Sequence, residues 1–316
     1  MREILRGPVR LWGLLAAAGV LIFSATLAGF AGRFWWVFDL FSHFRVQYLF
    51  LISVVILLLL LGKKWRSSAV LSLCAAINLA SILPYYLPGD AAAGDATTPL
   101  RVASINVNTA NRKYDLVRQY IIDNSPDIVL LMEVNAAWDR ALEELHSLYP
   151  YRVSEPRPDN FGIVLFSRRP LIKGEIVYLG EARAPSVIAE LEIAERKLTI
   201  FGAHLSAPMS DTYYRLRNEQ AEAIGAYLSS VPGPKMLIGD LNMSPWSYYF
   251  GRLLGVTGLS DSSTGRGIHL TWPTHTLWMR IPIDFCLVSE EILVNDKTVG
   301  PNIGSDHFPV LVDIML

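Results

Sequence analysis

The stretch GSDHFPVLVDI, Gly304–Ile314, sets an acid and an imidazole, Asp306 and His307, at the mouth of an apolar, β-branched run. Phe308–Ile314 reads as a buried strand, and polar groups at its entrance need water, a partner or a chemical task. Working outward, apolar runs bounded by turn residues recur at Arg101–Val107, Ile128–Val134, Gly162–Phe166, Val187–Ile193, Leu198–Ala203, Met236–Ile238 and Ile283–Val288. Amphipathic helical patterns lie between some of them, at Tyr114–Asp123, Ala136–Leu148 and Tyr213–Leu228. Strands that alternate partly with helices and partly with other strands predict an α/β or α+β domain whose sheet faces are covered by layers.

The residues that can do chemistry stand at the ends of these strands. Glu133 closes the run DIVLLMEVN, where a lone carboxylate is costly to bury, and Asn106 follows a strand of alternating apolar residues. His204 ends LTIFGAH, and Asp240 and Asn242 follow an apolar strand at i and i+2, so their side chains point the same way. Asp284 lies between Ile283 and Phe285 and needs a cation or an imidazole beside it. Singly, each has an ordinary explanation: an exposed strand end, a turn-forming Asn, a hydrogen-bonded structural His, an Asx turn. As a group, carboxylates, carboxamides and two imidazoles without a thiolate are the donor set of a hard cation, Mg2+ or Mn2+, and not of zinc.

Taken in order, these residues resemble the endonuclease/exonuclease/phosphatase superfamily, which includes DNase I, the exonuclease III type of AP endonucleases, neutral sphingomyelinases and inositol polyphosphate 5-phosphatases. The resemblance is carried by Asn106 in SINVN, Glu133 in LMEV, NFGIVLFSR from Asn160, His204 in GAHLS, GDLN from Gly239, PID ending at Asp284 and SDH from Ser305. It implies a four-layer α/β sandwich, two packed β-sheets flanked by helices, with the site at one end. It further implies Glu133 as the principal metal ligand, with Asn106 and Asp306 close by, directly or through water. Asp240 and Asn242 would orient the attacking water and the phosphate, and Asp284 would hold the imidazole of His307. His204 stands where DNase I has His and AP endonucleases have Tyr, which suits proton donation to the leaving oxygen or stabilisation of the phosphate. Phe285 stands where many relatives have His or Tyr, so no single relative's substrate can be imported.

Candidates for substrate contact are Asn160, Trp272 in the segment HLTWPTHTLWMRIPID, and Arg217, although an exposed helix face is the expectation for Arg217 and for Gln220. The aromatics of that segment, and those of PWSYYF from Pro245, could line a cleft, face a bilayer or pack in the core.

The apolar content of the 316 residues, 52% of the chain, is concentrated at the front. Leu11–Ala31, Val46–Leu61 and Ser67–Leu83 carry no Asp, Glu, Lys or Arg, only uncharged polar interruptions such as Ser24, Gln47 and Asn78, and they match the thickness of a bilayer. Three transmembrane helices are expected, in preference to a cleaved signal peptide, because two more apolar spans follow the first and no small-residue cleavage site is evident. Arg2, Arg6 and Arg10, with Lys63, Lys64 and Arg66 in the second turn, outweigh Arg33 and Arg45 in the first loop. The expected arrangement is therefore a multi-pass protein of the inner cell membrane, with the catalytic domain on the periplasmic side. Residues 1–88 form the expected anchor, 89–99 a tether within PGDAAAGDATTP, and 100–316 the catalytic domain.

Residues 1–99 hold eight of the 28 Lys/Arg and four of the 29 Asp/Glu, which leaves a net charge of −5 on the remainder. That balance lacks the basic footprint of a duplex-binding surface. Cys74 and Cys286 are badly placed to pair, so no disulfide framework is implied. The resulting expectation is a membrane-anchored phosphodiester hydrolase dependent on Mg2+ or Mn2+, acting on nucleic acid or a phospholipid headgroup, with the bilayer as partner and no protein partner evident. The alternatives are a phosphomonoesterase on inositol-type phosphates and a non-catalytic membrane scaffold on the same fold.

Overall fold

The computed structural model describes residues 11–88, 98–193 and 195–316. The arginines at positions 2, 6 and 10 and most of the tether lie outside the described residues. Two compact units result: one takes the N-terminal helices up to Pro84 together with Trp246–Tyr248, the other Tyr85–Pro245 and Tyr249–Leu316.

The helical unit contains α1 (Leu11–Ala28), α2 (Trp36–Ser42), α3 (Arg45–Leu61) and α4 (Trp65–Ile82). With their short extensions, Leu11–Ala31 and Trp65–Tyr85 are each long and apolar enough to cross a membrane. The third expected span, Val46–Leu61, falls on α3, which reaches span length only together with α2, and the two are bent by 66°. Arg45, expected in the first loop, instead heads α3, is buried and donates from Nη1 to the Thr26 carbonyl at 2.9 Å. A cation there completes the last carbonyls of α1.

The second unit runs β1 (Pro99–Asn106), α5 (Tyr114–Asn124), β2 (Ile128–Met132), α6 (Ala136–Ala141), β3 (Tyr151–Glu155), β4 (Ile163–Ser167), β5 (Leu171–Tyr178), β6 (Pro185–Ile193) and β7 (Arg196–His204). It continues through α7 (Asp211–Ser230), β8 (Lys235–Asp240), α8 (Tyr248–Thr257), β9 (Ser260–Asp261), β10 (Asp284–Val288), β11 (Leu293–Val299) and β12 (Val310–Met315). The strands form two six-stranded sheets, ordered β11-β12-β1-β2-β4-β3 and β5-β6-β7-β8-β10-β9.

Side-chain alternation explains the layers. On β1 and β2, Leu100, Val102, Leu130 and Met132 face the other sheet and meet Ile200, Ile238 and Val187, while Ala103, Ile105, Val129 and Leu131 face Val117, Ile121 and Trp138. On the second sheet, Phe201, Leu237 and Phe285 turn outward against Ile224, Leu228 and Phe250. Strands buried on both faces read as continuous apolar runs, which is why the sequence exposes them so clearly. The result is the sandwich of two sheets flanked by helices that the resemblance implies.

The expected helix Ala136–Leu148 is shorter: α6 is capped by the Asn135 side chain, ends at Ala141 and passes into a 3-10 turn, Glu143–Ser147. The strands β3, β5 and β11 were not expected. All three lie at sheet edges with mixed exposure, where one covered face leaves only a faint hydropathy pattern.

Among the described residues two neighbouring strand pairs are parallel, β1 with β2 and β7 with β8. Their C-terminal ends therefore emerge together, Asn106 level with Met132 and His204 level with Asp240. The antiparallel partner β10 begins there, with Asp284 opposite Asp240.

Candidate active site

At the end of the first sheet, Asn106 is buried and donates from Nδ2 to Glu133 Oε1 at 3.1 Å and to Asp240 Oδ2 at 3.3 Å. Its Oδ1 accepts the Asn108 N–H at 3.0 Å. Asn106 is thus a donor bridging two acids, and its oxygen, with one bond accepted, keeps a lone pair. Glu133 sits one residue past β2 with φ +62°, and its Oε2 accepts the Thr109 N–H at 3.0 Å. Left-handed backbone at a non-glycine residue is costly and persists where the surroundings over-determine it; Asn108 (φ +60°) and Asn242 (φ +49°) share it.

The end of β8 depends on Gly239. Its φ is +137°, and a Cβ there would lie 1.9 Å from the Ala203 carbonyl oxygen. This close approach brings Asp240 beside His204. Asp240 is buried; its Oδ1 accepts the Asn242 N–H at 2.9 Å, and its Oδ2 lies 3.5 Å from His204 Nε2 and 3.6 Å from His307 Nε2. Asn242 also donates from Nδ2 to the Leu205 carbonyl at 2.8 Å. His307 Nδ1 lies 2.9 Å from Asp284 Oδ2, so the imidazole is held between two buried acids. Asp306 accepts from Asn108 Nδ2 at 2.6 Å on one oxygen and from Trp272 Nε1 at 3.0 Å on the other.

The structure therefore brings together Asn106, Glu133, His204, Asp240, Asn242, Asp284, Asp306 and His307. Trp272 joins them through Asp306. Asn160 stays on an exposed loop, and its neighbour Phe161 packs over His204 instead, ring centres 5.5 Å apart. Arg217 and Gln220 are fully buried, which corrects the expected exposed helix face. The Arg217 guanidinium braces the loop from behind, donating from Nη1 to the Asn242 carbonyl at 3.0 Å and from Nε to Asn218 Oδ1 at 2.9 Å. Sequence reasoning missed Asn108 and the structural part of Ser305, whose Oγ donates to the Asn106 carbonyl at 2.7 Å and accepts the His307 N–H at 3.1 Å. Asn108 lies two residues past Asn106, the same i, i+2 signal that picked out Asp240 and Asn242.

The charges are uneven. Among the described residues, no Lys or Arg pairs with Glu133, Asp240, Asp284 or Asp306; their charged neighbours are the two imidazoles. Burial and the nearby Asp284 push Asp240 up to about 8. Burial opposes the charge on His307, yet Asp284 and Asp240 outweigh it and raise that group to about 10. His204 moves the other way, lowered chiefly by burial. Burial also works against the Asp306 anion, but His307, Asn108 and Trp272 hold it below the usual carboxylate range. Neighbouring groups pushed apart in this way divide acid and base roles between them.

An excess of acids with no Lys or Arg beside them among the described residues fits a divalent ion, and the oxygen-rich donors of Glu133 and Asp306 suit Mg2+ or Mn2+. Asp240, Asp284 and His307 also offer ligand atoms within 4.8 Å of one another. There the imidazole lies between the two carboxylates, 2.9 Å from Asp284 and 3.6 Å from Asp240.

A model of the Endonuclease/Exonuclease/phosphatase family matches residues 103–307. Among solved structures, a humanized D. rerio TDP2 carrying 14 mutations is similar at 17% identity, with 69% of this chain and 99% of that chain covered and a TM-score of 0.60. The human Nocturnin catalytic domain with bound sulfate is similar at 21% identity, covering 69% and 95%, with a TM-score of 0.57. Sphingomyelinase C from Streptomyces griseocarneus is similar at 18% identity, covering 69% and 99%, with a TM-score of 0.51. A search of curated proteins found no match.

Proposed function

Because the chain belongs to the endonuclease/exonuclease/phosphatase family, we propose that it is a phosphodiester hydrolase dependent on Mg2+ or Mn2+ and held at a membrane by its N-terminal helices. The observation that carries this reading is His307 clamped between Asp284 and Asp240 beside two further acids with no Lys or Arg partner. Glu133 and Asp306 would hold the ion. When bound, it would offset charge on the phosphate oxygens.

The remaining work falls to the chain's own residues. Asp240, with a proton affinity near neutrality, is suited to take the proton of the attacking water. Asn106 and the Asn242 N–H fix that carboxylate from two sides. His307, held cationic by Asp284, presents Nε2 to the site as a donor to the phosphate. His204, neutral and packed against the tilted ring of Phe161, faces Asp240 from the opposite side and is placed to assist the leaving oxygen. Positioning of water and phosphate for in-line attack accounts for the rest.

The substrate class is a phosphodiester, the chemistry shared by nucleic acids and phospholipid headgroups. Two apolar helices of spanning length support a membrane location. The positive charge at Lys63, Lys64 and Arg66 supports the periplasmic orientation of the catalytic domain. The test is hydrolysis of duplex DNA, single-stranded DNA, RNA, sphingomyelin and glycerophospholipids by the full chain in detergent, with Mg2+ or Mn2+ and a Glu133→Ala control. Hydrolysis of at least one substrate that vanishes in the control is expected. Equal activity in the control, or none on any phosphodiester, would overturn the reading.

A further inference from the structure

We propose that Trp272 is a positioning residue that aims the Asp306 carboxylate, and that the strap Thr271–Thr274 around it holds both Asp306 and Asp284. This inference rests on the reading of Asp306 as a metal ligand. The indole Nε1 donates to Asp306 Oδ2 at 3.0 Å, and the Asn108 amide holds the other oxygen at 2.6 Å. A carboxylate with one donor on each oxygen cannot rotate about its own axis, yet each oxygen keeps a lone pair for a further partner. An indole N–H donates only: it neither accepts a proton nor ligates a cation, so it orients Asp306 without competing for the ion.

The strap itself is fixed. The Trp272 N–H donates to the Ile281 carbonyl at 3.1 Å and Ile281 returns a bond at 2.6 Å. The Thr274 N–H donates to the Asp306 carbonyl at 2.9 Å, and Phe308 donates to the Thr271 carbonyl at 2.8 Å. Thr271 Oγ1, fully buried, accepts the N–H groups of Ile283 and Asp284, each at 3.3 Å. The indole also lies beside His307, with ring centres 6.4 Å apart. One short segment is therefore bonded to Asp306 through a side chain and to Asp284 through its backbone. Residues that orient a ligand from behind commonly change metal affinity by about 10- to 100-fold when removed.

The test uses the full chain in detergent and reads Mn2+ binding by the paramagnetic resonance of the free ion, with thermal midpoints in EDTA alongside. Trp272→Phe keeps a ring beside His307 and deletes the donor. Expected is Mn2+ binding weakened about 10-fold or more in Trp272→Phe, with less than about a twofold further change when the same substitution is added to Asp306→Ala. An unchanged Mn2+ affinity with a lowered midpoint would show a packing role and overturn the inference. So would a full additional loss in the Asp306→Ala background. Asp306→Ala with wild-type affinity would overturn the reading of Asp306 as ligand, and this inference with it; weakened Asp306→Ala beside unaffected Trp272→Phe sinks the inference alone. If Trp272→Phe does not fold, Asn108→Gly removes the second donor at a position whose φ of +60° glycine accepts. The same loss and the same non-additivity are expected of it, and additivity overturns the proposal.

Discussion

His307 and Asp284 meet at 2.9 Å from opposite sheets of the sandwich. The imidazole precedes β12 of the first sheet, while Asp284 begins β10 and Asp240 ends β8 of the second, so one ring ties the two layers together at the site. Asn106 makes the same crossing to Asp240.

The His307–Asp284 bond fixes which nitrogen faces the substrate. Asp284→Asn replaces the carboxylate by an isosteric amide that can present either group to Nδ1. Turnover on a generic aryl phosphodiester should fall by about 10³- to 10⁴-fold, by analogy with loss of the orienting acid in other Asp–His pairs. KM should change far less. A loss below tenfold would show that His307 does not depend on Asp284.

The raised proton affinity of His307 predicts a sign for stability against pH. A group at about 10 in the folded chain and near 6.5 when unfolded binds more protons in the folded state between those values. Its contribution is fully present below about pH 6.5 and is lost as pH rises toward about 10. In EDTA, the thermal midpoint should fall across that window, and His307→Gln should flatten the fall. A midpoint rising with pH in the wild type, unaltered by His307→Gln, would contradict this.

Gly239→Ala should be among the most damaging single substitutions in the second unit. The added Cβ would lie 1.9 Å from the Ala203 carbonyl at a φ of +137°. A cost of about 3 kcal/mol or more is expected, read as a midpoint lower by roughly 6 °C or more for a domain of this size. Gly258→Ala, also at positive φ but with open space around it, separates the backbone cost from the collision; it should be the milder of the two.

Asn106 donates to two acids, so its replacement by an acid should be worse than its deletion. Asn106→Asp adds a buried negative charge between Glu133 and Asp240. Without metal its midpoint should lie below that of Asn106→Ala, and saturating Mn2+ should narrow the gap. Equal midpoints in EDTA would show that Asn106 does not stand between the two carboxylates.

How much was legible in the sequence follows from the kind of signal each residue left. Strands β1, β2, β7 and β8 are buried on both faces, and a continuous apolar run ending in a polar residue marks both the strand and its working end. Asn106, Glu133, His204 and Asp240 were found in this way, while Asp284, Asp306 and His307 stand at the entrances of the apolar strands β10 and β12. Arg217 was misjudged because helical periodicity places it on a face without saying what covers that face, and the Asn242 loop turned out to cover it. Asn108 was missed although it stands two residues past Asn106, and the bond from Trp272 to Asp306 joins two loops, where no periodicity exists to read.

By itself the sequence determined the strands buried on both faces, the apolar helices at the front and the polar residues at those strands' ends, because burial imposes a composition that hydropathy makes visible. Only the tertiary structure decided that the two sheets pack with their working ends level, so that an imidazole of one is clamped by two acids of the other. Contacts between residues far apart in the chain leave no periodic trace, and Asp306 accepts its bond from Trp272, 34 positions away.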